Sequence, residues 1–453
     1  MSLVQSNCFR IPIADKSIHV VVTSPPYWGL RKYAGDQGNE PLGLEPTPER
    51  HIERTVQWAR EVYRVLRDDG VFWLNYGDCY AGSGGENGNS GIGGQTAEKH
   101  GLYRNNPRQT RIAQGNLILM PHRIALALQA DGWIVRQDLV WAKPNPMPES
   151  VNGWRWQRER VRSGDDPRGG EDYRDNAHGD SPQRRHDGPG FAQPEYKYGD
   201  DYELRRGSLR HTRAHEYVFM LTKQMGYWSD QEAVREAGII EAGAFGAVRG
   251  PQAVARAAAT GHLPSGNEKP GTGWTFTGKR NPRSVLHIPT APYRGAHYAT
   301  FPPALIAPLI LATCPRWCCP VCGQGWAPMV ERMPTGATQK MADGWDTGDG
   351  AHGSIHRDGR EQGETGIPVM ASAVSGHRPT CDHPHTQAEA LPGIVCDPFV
   401  GSGTTVMVAK QLLRRGVGFD ISRPYLREQA VDRINSQPKG KWKKQLEAIN
   451  ESV

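Results

Sequence analysis

The stretch Asp397-Pro-Phe-Val-Gly401-Ser-Gly403-Thr-Thr405 joins the apolar run Ile394-Val-Cys396 to a segment with helical periodicity. A glycine-rich turn between a strand and a helix is where open α/β sheets bind nucleotide-like ligands, because glycine lets the backbone approach closely and the helix start offers N–H groups. Asp420 ends the next predicted strand, where a carboxylate can hold ribose hydroxyls. The turn has Val406 where a dinucleotide loop needs glycine, and it lacks the Walker lysine. The stretch therefore predicts an α/β fold whose ligand is neither NAD nor ATP.

A second junction between a strand and a turn lies near the other end of the chain, in Val20-Val-Val-Thr23-Ser-Pro-Pro-Tyr27-Trp28. Proline lacks an N–H and holds its predecessor in extended geometry, which is enough to end a strand. Two consecutive prolines followed by two aromatics also present a small polar group on a rigid turn. Taken alone, the tetrapeptide Ser24-Pro25-Pro26-Tyr27 leaves a structural turn and an active-site loop equally open.

Hydrophobic periodicity places further elements around these two junctions. Thr47-Pro48 opens an amphipathic helix, Asp69-Gly70 closes it, and the strand 71–75 completes a β–α–β unit. We predict further strands at 133–141, 216–221, 285–288, 394–399 and 417–420, and helices at 117–130, 302–312, 404–414 and 422–435. The tail from Lys439 is predicted to be frayed.

Composition restricts the class of protein. The 453 residues suffice for one large or two ordinary domains, and 53 Gly with 35 Pro predict long loops. There is no apolar run of membrane-spanning length and no signal-peptide layout at the start, so we expect a cytoplasmic protein. Residues 80–115 are predicted to form a mobile loop, for which an active-site lid and plain disorder both stay open.

Residues 150–213 combine many arginines with tryptophans and tyrosines. Basic and aromatic residues in alternation suit contacts with phosphates and stacking on bases. Acidic residues are interspersed, so a solvated insertion is the alternative. The net charge of +6 is too small to identify a nucleic-acid partner by itself.

The cysteines are clustered, because five of the eight lie between Cys314 and Cys381. In a cytoplasmic chain this clustering favours a metal over disulfides. The C-x-x-C turn of Cys319 and Cys322, together with Cys381 and His383, can complete a tetrahedral structural zinc site. Alternative ligands are Cys314, Cys318 and His385, and reduced cysteines without metal are the alternative to a site.

Together the two junctions resemble the motifs of S-adenosylmethionine-dependent DNA amino-methyltransferases. The loop 397–405 is similar to their cofactor motif, and Ser24-Pro-Pro-Tyr27 to their catalytic motif. The catalytic motif comes first, as in the permuted β group of the family. Further similar segments are Asn75, Trp141-x-Lys-Pro-Asn145 and His297-Tyr-Ala-Thr-Phe-Pro302. The resemblance implies a Rossmann-like class I methyltransferase, with a mostly parallel seven-stranded sheet and helices on both faces.

The resemblance also implies the site residues. The catalytic residues would be Ser24, Pro25, Pro26 and Tyr27. The cofactor would be held by Asp397, Pro398, Phe399, Gly401, Ser402, Gly403 and Thr404 around its methionine part, by Asp420 at the ribose, and by the closing segment with His297 and Phe301. Relatives often have Gly-Asp at an adenine contact where this chain has Ser6-Asn7.

An exocyclic amine is a poor nucleophile, because its lone pair is delocalised into the ring. Ser24 Oγ and the Pro25 carbonyl could accept hydrogen bonds from its two protons and aim the nitrogen at the methyl group. Tyr27, with Trp28, could stack on a base rotated out of the duplex. Serine at position 24 resembles the subgroup that methylates cytosine N4, with adenine N6 as the alternative. Carbon-5 methylation is disfavoured, since it needs an activated thiolate in a Pro-Cys context.

We therefore expect a site-specific methyltransferase of double-stranded DNA, encoded by a bacterium or a phage, whose partners could include a restriction endonuclease that shares the site. The alternative from a different class is an inactive, zinc-stabilised DNA-binding protein. The predicted division is a catalytic half at 1–149, target-recognition insertions at 150–284, a cofactor-closing segment at 285–313, a zinc knuckle at 314–390, a cofactor-binding half at 391–438 and a tail at 439–453.

Overall fold

The computed structural model describes residues 2–29, 42–81, 112–113, 115–146, 153–163, 195–205, 207, 209–237, 279–290, 300–339 and 367–452. The chain divides into two compact units. The first unit consists of Met1–Trp228, Ser284–Cys314 and Pro392–Val453, and the second unit of Ser229–Arg283 and Pro315–Leu391. In the described part of the chain, no helix is both long and apolar enough to cross a membrane.

The strands, in chain order, are β1 (Ser2–Gln5), β2 (Ile18–Thr23), β3 (Leu66–Tyr76), β4 (Ile134–Ala142), β5 (Arg155–Ser163), β6 (Glu195–Arg205), β7 (His215–Thr222), β8 (Glu236–Ala237), β9 (Lys279–Arg280), β10 (Val285–His287), β11 (Ala327–Gln339), β12 (Ile367–Arg378), β13 (Ile394–Asp397) and β14 (Arg415–Asp420). The helices are α1 (Pro48–Val65), α2 (Met120–Ala130), α3 (Pro303–Thr313), α4 (Thr404–Gln411), α5 (Val431–Asn435) and α6 (Gly440–Ser452). A 3-10 turn spans Glu232–Val234, and a π-helical turn, Tyr425–Ala430, leads into α5.

The first unit contains an eight-stranded sheet in the order β1-β14-β13-β2-β3-β7-β4-β10. Only β7 runs antiparallel to its neighbours, so the predicted mostly parallel α/β sheet is confirmed. The predicted count of seven strands is wrong, because β1 adds an edge strand beside β14. With two exposed and two half-buried residues, β1 has no buried run that would mark it in the sequence.

Helix α1 begins as predicted, since Thr47 caps it by accepting a hydrogen bond from the Arg50 N–H at 3.1 Å. It ends at Val65, and β3 follows at once, so Asp69-Gly70 lies within β3 rather than closing the helix. Gly70 is needed there for close packing against β2: a Cβ on it would lie 2.8 Å from the His19 carbonyl oxygen.

The centre of the sheet brings the two ends of the sequence together. Strand β2 is fully buried and pairs with β13 through Val20 and Val395. Parallel neighbours end at the same edge of a sheet, so Thr23 and Asp397 are adjacent there. Strand β7 is antiparallel to β3, so the first residues of β7 lie at this same edge, where Tyr217 pairs with Tyr76.

The segment after Lys439 is not a frayed tail but helix α6. Its Trp442 indole N–H donates to Gln411 Oε1 at 2.7 Å, and its Leu446 is 8% exposed. This contact with the end of α4 and the burial of Leu446 outweigh the end-fraying expected from position alone.

The insertions are described in part. In the first unit β5 and β6 form an antiparallel hairpin, and in the second unit β11 pairs with β12 and β8 with β9. Most of the loop predicted at 80–115, and residues 238–278 of the insertions predicted at 150–284, lie outside the described residues.

Candidate functional site

The loop after β13 forms the tight turn that its glycines predict. The Val400 N–H donates to the Phe419 carbonyl at 2.9 Å, and the Gly403 N–H donates to the Val400 carbonyl at 2.7 Å. Gly403 precedes α4 with φ of 84°, a conformation that favours glycine, and a Cβ there would lie 3.1 Å from Ala430. Ser402 Oγ accepts a hydrogen bond from Arg433, and Thr404 begins α4 with 4% exposure.

Asp397 ties this loop to the strand that precedes Ser24. Its Oδ1 accepts hydrogen bonds from Thr23 Oγ1 at 2.6 Å and from the Phe399 N–H at 3.0 Å, and its Oδ2 from Thr405 Oγ1 at 2.6 Å. Burial raises the pKa of the Asp397 carboxyl to about 6, against the lowering effect of these donors. Two motifs separated by 374 residues are therefore joined by one hydrogen bond.

Asp420 ends β14 beside the same turn. It accepts the Gly401 N–H at 3.0 Å and the Ser422 N–H at 2.8 Å on different oxygens, and burial raises its pKa. Each carboxylate oxygen keeps a further lone pair. Ser422 Oγ is buried next to it without a hydrogen-bond partner among the described residues. An acceptor, a spare hydroxyl and a glycine turn suit the ribose of S-adenosylmethionine, so the residues fit this cofactor.

The other predicted cofactor residues are placed as follows. Phe399 packs edge-on against the Trp58 ring at 5.0 Å between centroids, and Phe301 is buried just before α3. His297 lies outside the described residues. The Ser6 N–H donates to the Asp420 carbonyl at 3.1 Å. The Ser6-Asn7 segment therefore lies beside the end of β14, where Asp420 is the residue predicted to bind the ribose.

The Ser-Pro-Pro-Tyr loop is held by its own tyrosine. Tyr27 Oη lies 3.0 Å from Ser24 Oγ and 2.8 Å from Glu216 Oε2, and the Asn75 amide donates to both Tyr27 Oη and Glu216 Oε2. The Tyr27 ring packs at 4.6 Å from that of Tyr76. Burial, with the Glu216 charge as the second cause, holds the pKa of the Tyr27 phenol well above its usual range, so the phenol keeps its proton.

Two residues of this cluster, Glu216 and Lys143, were not predicted from the sequence as site residues. Glu216 begins the antiparallel strand β7, and Lys143 directly follows β4; the two form an ion pair through Glu216 Oε1. The Lys143 ammonium also lies 4.4 Å from the centre of the Trp141 ring. Only the sheet order, in which β7 lies between β3 and β4, brings Glu216 to this edge.

Trp28 is not placed to stack on a base. It is 3% exposed, its indole N–H donates to the Glu45 carbonyl at 2.8 Å, and its backbone N–H donates to Tyr76 Oη at 2.9 Å. Trp28 therefore belongs to the hydrophobic core rather than to a base-binding surface.

The hairpin β5–β6 carries the exposed aromatics of the arginine-rich insertion. Trp154, Trp156 and Tyr202 are 65%, 66% and 56% exposed. Arg158 pairs with Tyr202 across the hairpin, with its guanidinium 5.8 Å from the ring centre. Large exposed aromatics next to a cation are typical of a binding surface rather than of a solvated loop.

The second unit brings together the four residues predicted as metal ligands. The ligand atoms of Cys319, Cys322, Cys381 and His383 all lie within 4.8 Å of one another. Cys319 Sγ accepts the Val321 N–H at 3.4 Å, and Gly323, with φ of 71°, ends the turn. The pKa of the Cys319 thiol is lowered to about 6, because backbone N–H groups and the neighbouring thiols stabilise its thiolate against the opposing effect of burial.

The alternative ligands lie outside this cluster. His385 Nε2 accepts the Trp326 indole N–H at 2.9 Å, and its Nδ1 lies 2.7 Å from the His383 carbonyl oxygen. Cys314 and Cys318 are buried and are not part of the four-residue group. Three thiols and one imidazole at this spacing form a donor set that fits tetrahedral Zn²⁺.

The chain is similar to known proteins over much of its length. The sequence model of the N6_N4_Mtase family, described as DNA methylase, matches residues 18–316 and 388–432. The Type II methyltransferase M.Cfr9I of Citrobacter freundii is 33% identical over 308 residues, 67% of this chain and 68% of that protein. M.SfiI of Streptomyces fimbriatus, another Type II methyltransferase, is 47% identical over 139 residues, 31% of this chain and 29% of that protein.

Among solved structures, the cytosine-N4-specific PvuII DNA methyltransferase is 13% identical, with a TM-score of 0.43, and the match covers 99% of this chain and 91% of that one. The family match spans both the Ser24 loop and the Asp397 loop, which the fold joins at one edge of the sheet. This chain belongs to the N6_N4_Mtase family of S-adenosylmethionine-dependent DNA amino-methyltransferases.

Proposed function

We propose that this protein is a site-specific DNA methyltransferase that methylates N4 of a cytosine rotated out of the duplex. The observation that carries the proposal is the hydrogen bond between Thr23 and Asp397, which holds the catalytic loop beside the cofactor loop. Serine at position 24 favours cytosine N4 through its resemblance to that subgroup, and adenine N6 is the alternative outcome of the test.

In this mechanism Ser24 Oγ and the Pro25 carbonyl accept the two protons of the exocyclic amine, which localises the nitrogen lone pair. Bound S-adenosylmethionine supplies the methyl group on a sulfonium that the nitrogen attacks. Pro25 and Pro26 keep the loop rigid, so the acceptors are in place before the base arrives. Tyr27 fixes the loop from below through its hydroxyl.

Asp397 acts in this proposal as the tie between the two loops, and Asp420 accepts the ribose hydroxyls. The Gly401–Gly403 turn and the start of α4 surround the methionine part, as the glycine conformations allow. The remaining proposed cofactor contacts are Pro398, Phe399, Ser402, Thr404, His297 and Phe301. Target recognition belongs to the insertions at 150–284, and the exposed aromatics of the β5–β6 hairpin support this assignment.

The test is the product of the reaction. DNA incubated with the protein and S-adenosylmethionine should contain N4-methylcytosine in one sequence context, read by nucleoside mass spectrometry and methylation-aware sequencing. Ser24→Ala should lose about 100-fold or more in transfer rate while binding S-adenosylmethionine as before, whereas Ser17→Ala, at the opposite end of β2, should not. Full activity of Ser24→Ala would refute the catalytic role of the loop. Detection of N6-methyladenine instead of N4-methylcytosine would show that the target base is adenine.

We also propose that Cys319, Cys322, Cys381 and His383 hold a structural Zn²⁺. The support is the convergence of the four ligand atoms and the N–H group that donates to Cys319 Sγ. The zinc would supply no chemistry to methyl transfer and would stabilise the second unit.

Metal analysis of the purified protein checks the zinc site. We expect about one zinc per chain, lost in the Cys319→Ser, Cys322→Ser double variant and kept in Cys8→Ala, a buried cysteine of the first unit. Folded wild-type protein without bound zinc would contradict the proposal.

The relatives are named Type II methyltransferases, which supports a role in a restriction-modification system. The partner would be an endonuclease with the same recognition sequence. DNA methylated by this protein should then resist that endonuclease, and cleavage of fully methylated DNA would argue against the pairing.

A further inference from the structure

The hydrogen bonds around Tyr27 have only one consistent set of directions. Tyr27 Oη has one proton and two lone pairs, and three groups surround it: Ser24 Oγ, Asn75 Nδ2 and Glu216 Oε2. The Asn75 amide nitrogen can only donate, and an ionised Glu216 can only accept. The Tyr27 proton therefore goes to Glu216, and the remaining lone pair of Tyr27 takes the proton of Ser24.

This direction decides what Ser24 offers to a substrate. Because its hydroxyl proton is committed to Tyr27, Ser24 Oγ presents lone pairs on its other side. An amine that approaches meets an acceptor rather than a competing O–H. Without Glu216 the Tyr27 proton is free to turn towards Ser24, and the Ser24 proton is then displaced towards the amine.

We propose that Glu216, acting through Tyr27, sets the direction of the Ser24 hydroxyl and receives the proton that the methylated amine releases. Glu216 is thus a positioning residue for the reaction, and the role rests on the proposed function, since it presumes an amine at Ser24. The ion pair with Lys143 holds Glu216 at this edge of the sheet, and the 17% exposure of the Glu216 side chain leaves it a route to solvent.

The step balances as follows. The amine nitrogen forms a bond to the methyl carbon with its lone pair, and the bond from that carbon to sulfur breaks, with its electron pair left on the now neutral sulfur. The positively charged nitrogen gives a proton to Ser24 Oγ, Ser24 gives its own proton to Tyr27, and Tyr27 gives its proton to Glu216 Oε2. The products are a neutral methylated amine and a protonated Glu216, which later loses its proton to water.

The charged surroundings of Glu216 are Lys143 at the end of β4 and His215, Arg213 and Asp78 nearby. Burial first, then Arg213 and Lys143, lowers the pKa of His215, so this imidazole is neutral at neutral pH. Glu216 is therefore the acceptor that is aligned with Tyr27 when the enzyme works.

The kinetic test uses single-turnover methyl transfer to DNA. Glu216→Gln and Tyr27→Phe should each slow the transfer by about 10- to 100-fold, and the double variant should be no slower than the worse single variant, because both changes break one chain. Tyr217→Phe is the matched control, since the neighbouring Tyr217 stacks on Phe219 without entering this network. Additive losses in the double variant, or unchanged rates in both single variants, would overturn the proposal.

A second measurement needs neither DNA nor cofactor. The ultraviolet absorbance difference between wild type and Tyr27→Phe reports ionisation of the Tyr27 phenol. Because the Glu216 charge raises the pKa of Tyr27, Glu216→Gln should move this ionisation to lower pH, with Tyr217→Phe again as control. An unchanged titration would refute the contact itself, whereas a wild-type protein that methylates no DNA would refute the proposed function instead.

Discussion

Single residues beneath the Ser24-Pro-Pro-Tyr27 loop determine where its tyrosine lies. The Tyr27 ring packs against Tyr76, and its hydroxyl is held by Asn75 and Glu216. Gly77 approaches the same ring so closely that a Cβ would lie 2.8 Å from Tyr27 Cε2 and 3.4 Å from Glu216 Cδ. The absence of a side chain at position 77 is thus part of the site.

Gly77→Ala should displace Tyr27 and loosen the Ser24 loop. We expect a loss of about 1–3 kcal/mol in the free energy of unfolding from overpacking, together with slower methyl transfer. Denaturant unfolding and transfer rates measure the two effects. Gly226→Ala is the control, because no heavy atom lies within 4 Å of a Cβ there; a Gly77→Ala variant with wild-type rate would show that the ring position is unimportant.

The sequence marks candidate site residues by their motifs, but it does not mark the residues that contact them. Ser24, Tyr27 and Asp397 carry recognisable motifs, and the four metal-ligand candidates follow from cysteine spacing. Glu216 carries no local signal, because its position depends on an antiparallel strand inserted between β3 and β4. The stacking role suggested for Trp28 was wrong, since an aromatic in a turn can equally point into the core.

At the scale of elements, Asp397 joins β2, β13 and α4 through hydroxyl groups on each side. Thr23 ends β2, and Thr405 lies in the first turn of α4 and also reaches the Val22 carbonyl at 3.3 Å. Because the carboxylate is buried among neutral donors, its charge is costly, which is why its pKa is raised to about 6.

Asp397→Asn should change how stability depends on pH. A raised carboxyl pKa means that the folded state binds more protons between about pH 4 and 6, so stability falls as pH rises through that window. We expect the unfolding free energy of wild type, relative to Asp397→Asn, to decrease by about 2 kcal/mol from pH 4 to pH 7. Asp432→Asn, in exposed α5, is the control; a constant difference across that range would contradict the buried charge.

Element boundaries were predicted less well than the elements. The sequence predicts that a helix ends at Asp69-Gly70, but Gly70 lies in β3, where the lack of a side chain allows close packing against β2. Likewise the charged segment after Lys439 lacks a strong apolar stripe, and the contact between Trp442 and Gln411 that anchors α6 is visible only in three dimensions. In both places tertiary packing outweighed the local signal.

The chain combines a methyltransferase sheet in its first compact unit with a second compact unit that carries Cys319, Cys322, Cys381 and His383. We expect chelation of the proposed zinc to raise hydrogen exchange in peptides covering 318–326 and 377–385, because the ligands bring these segments together. Strands β2 and β3 of the first unit should keep their protection. Exchange by mass spectrometry measures both, and equal loss of protection in β2 would show that the metal stabilises the entire chain.

The position of β2 between β3 and β13 has a consequence for synthesis on the ribosome. Asp397, the last residue of β13, lies 374 residues after Thr23, the last residue of β2. At about 5–20 residues per second, β13 is therefore synthesised tens of seconds after β2. Until then β2, whose residues are all buried in the finished sheet, has one unpaired edge, the kind of surface on which aggregation starts. The β2 edge therefore stays unpaired for that interval, and the sheet is complete only after β13 and β14 have been translated.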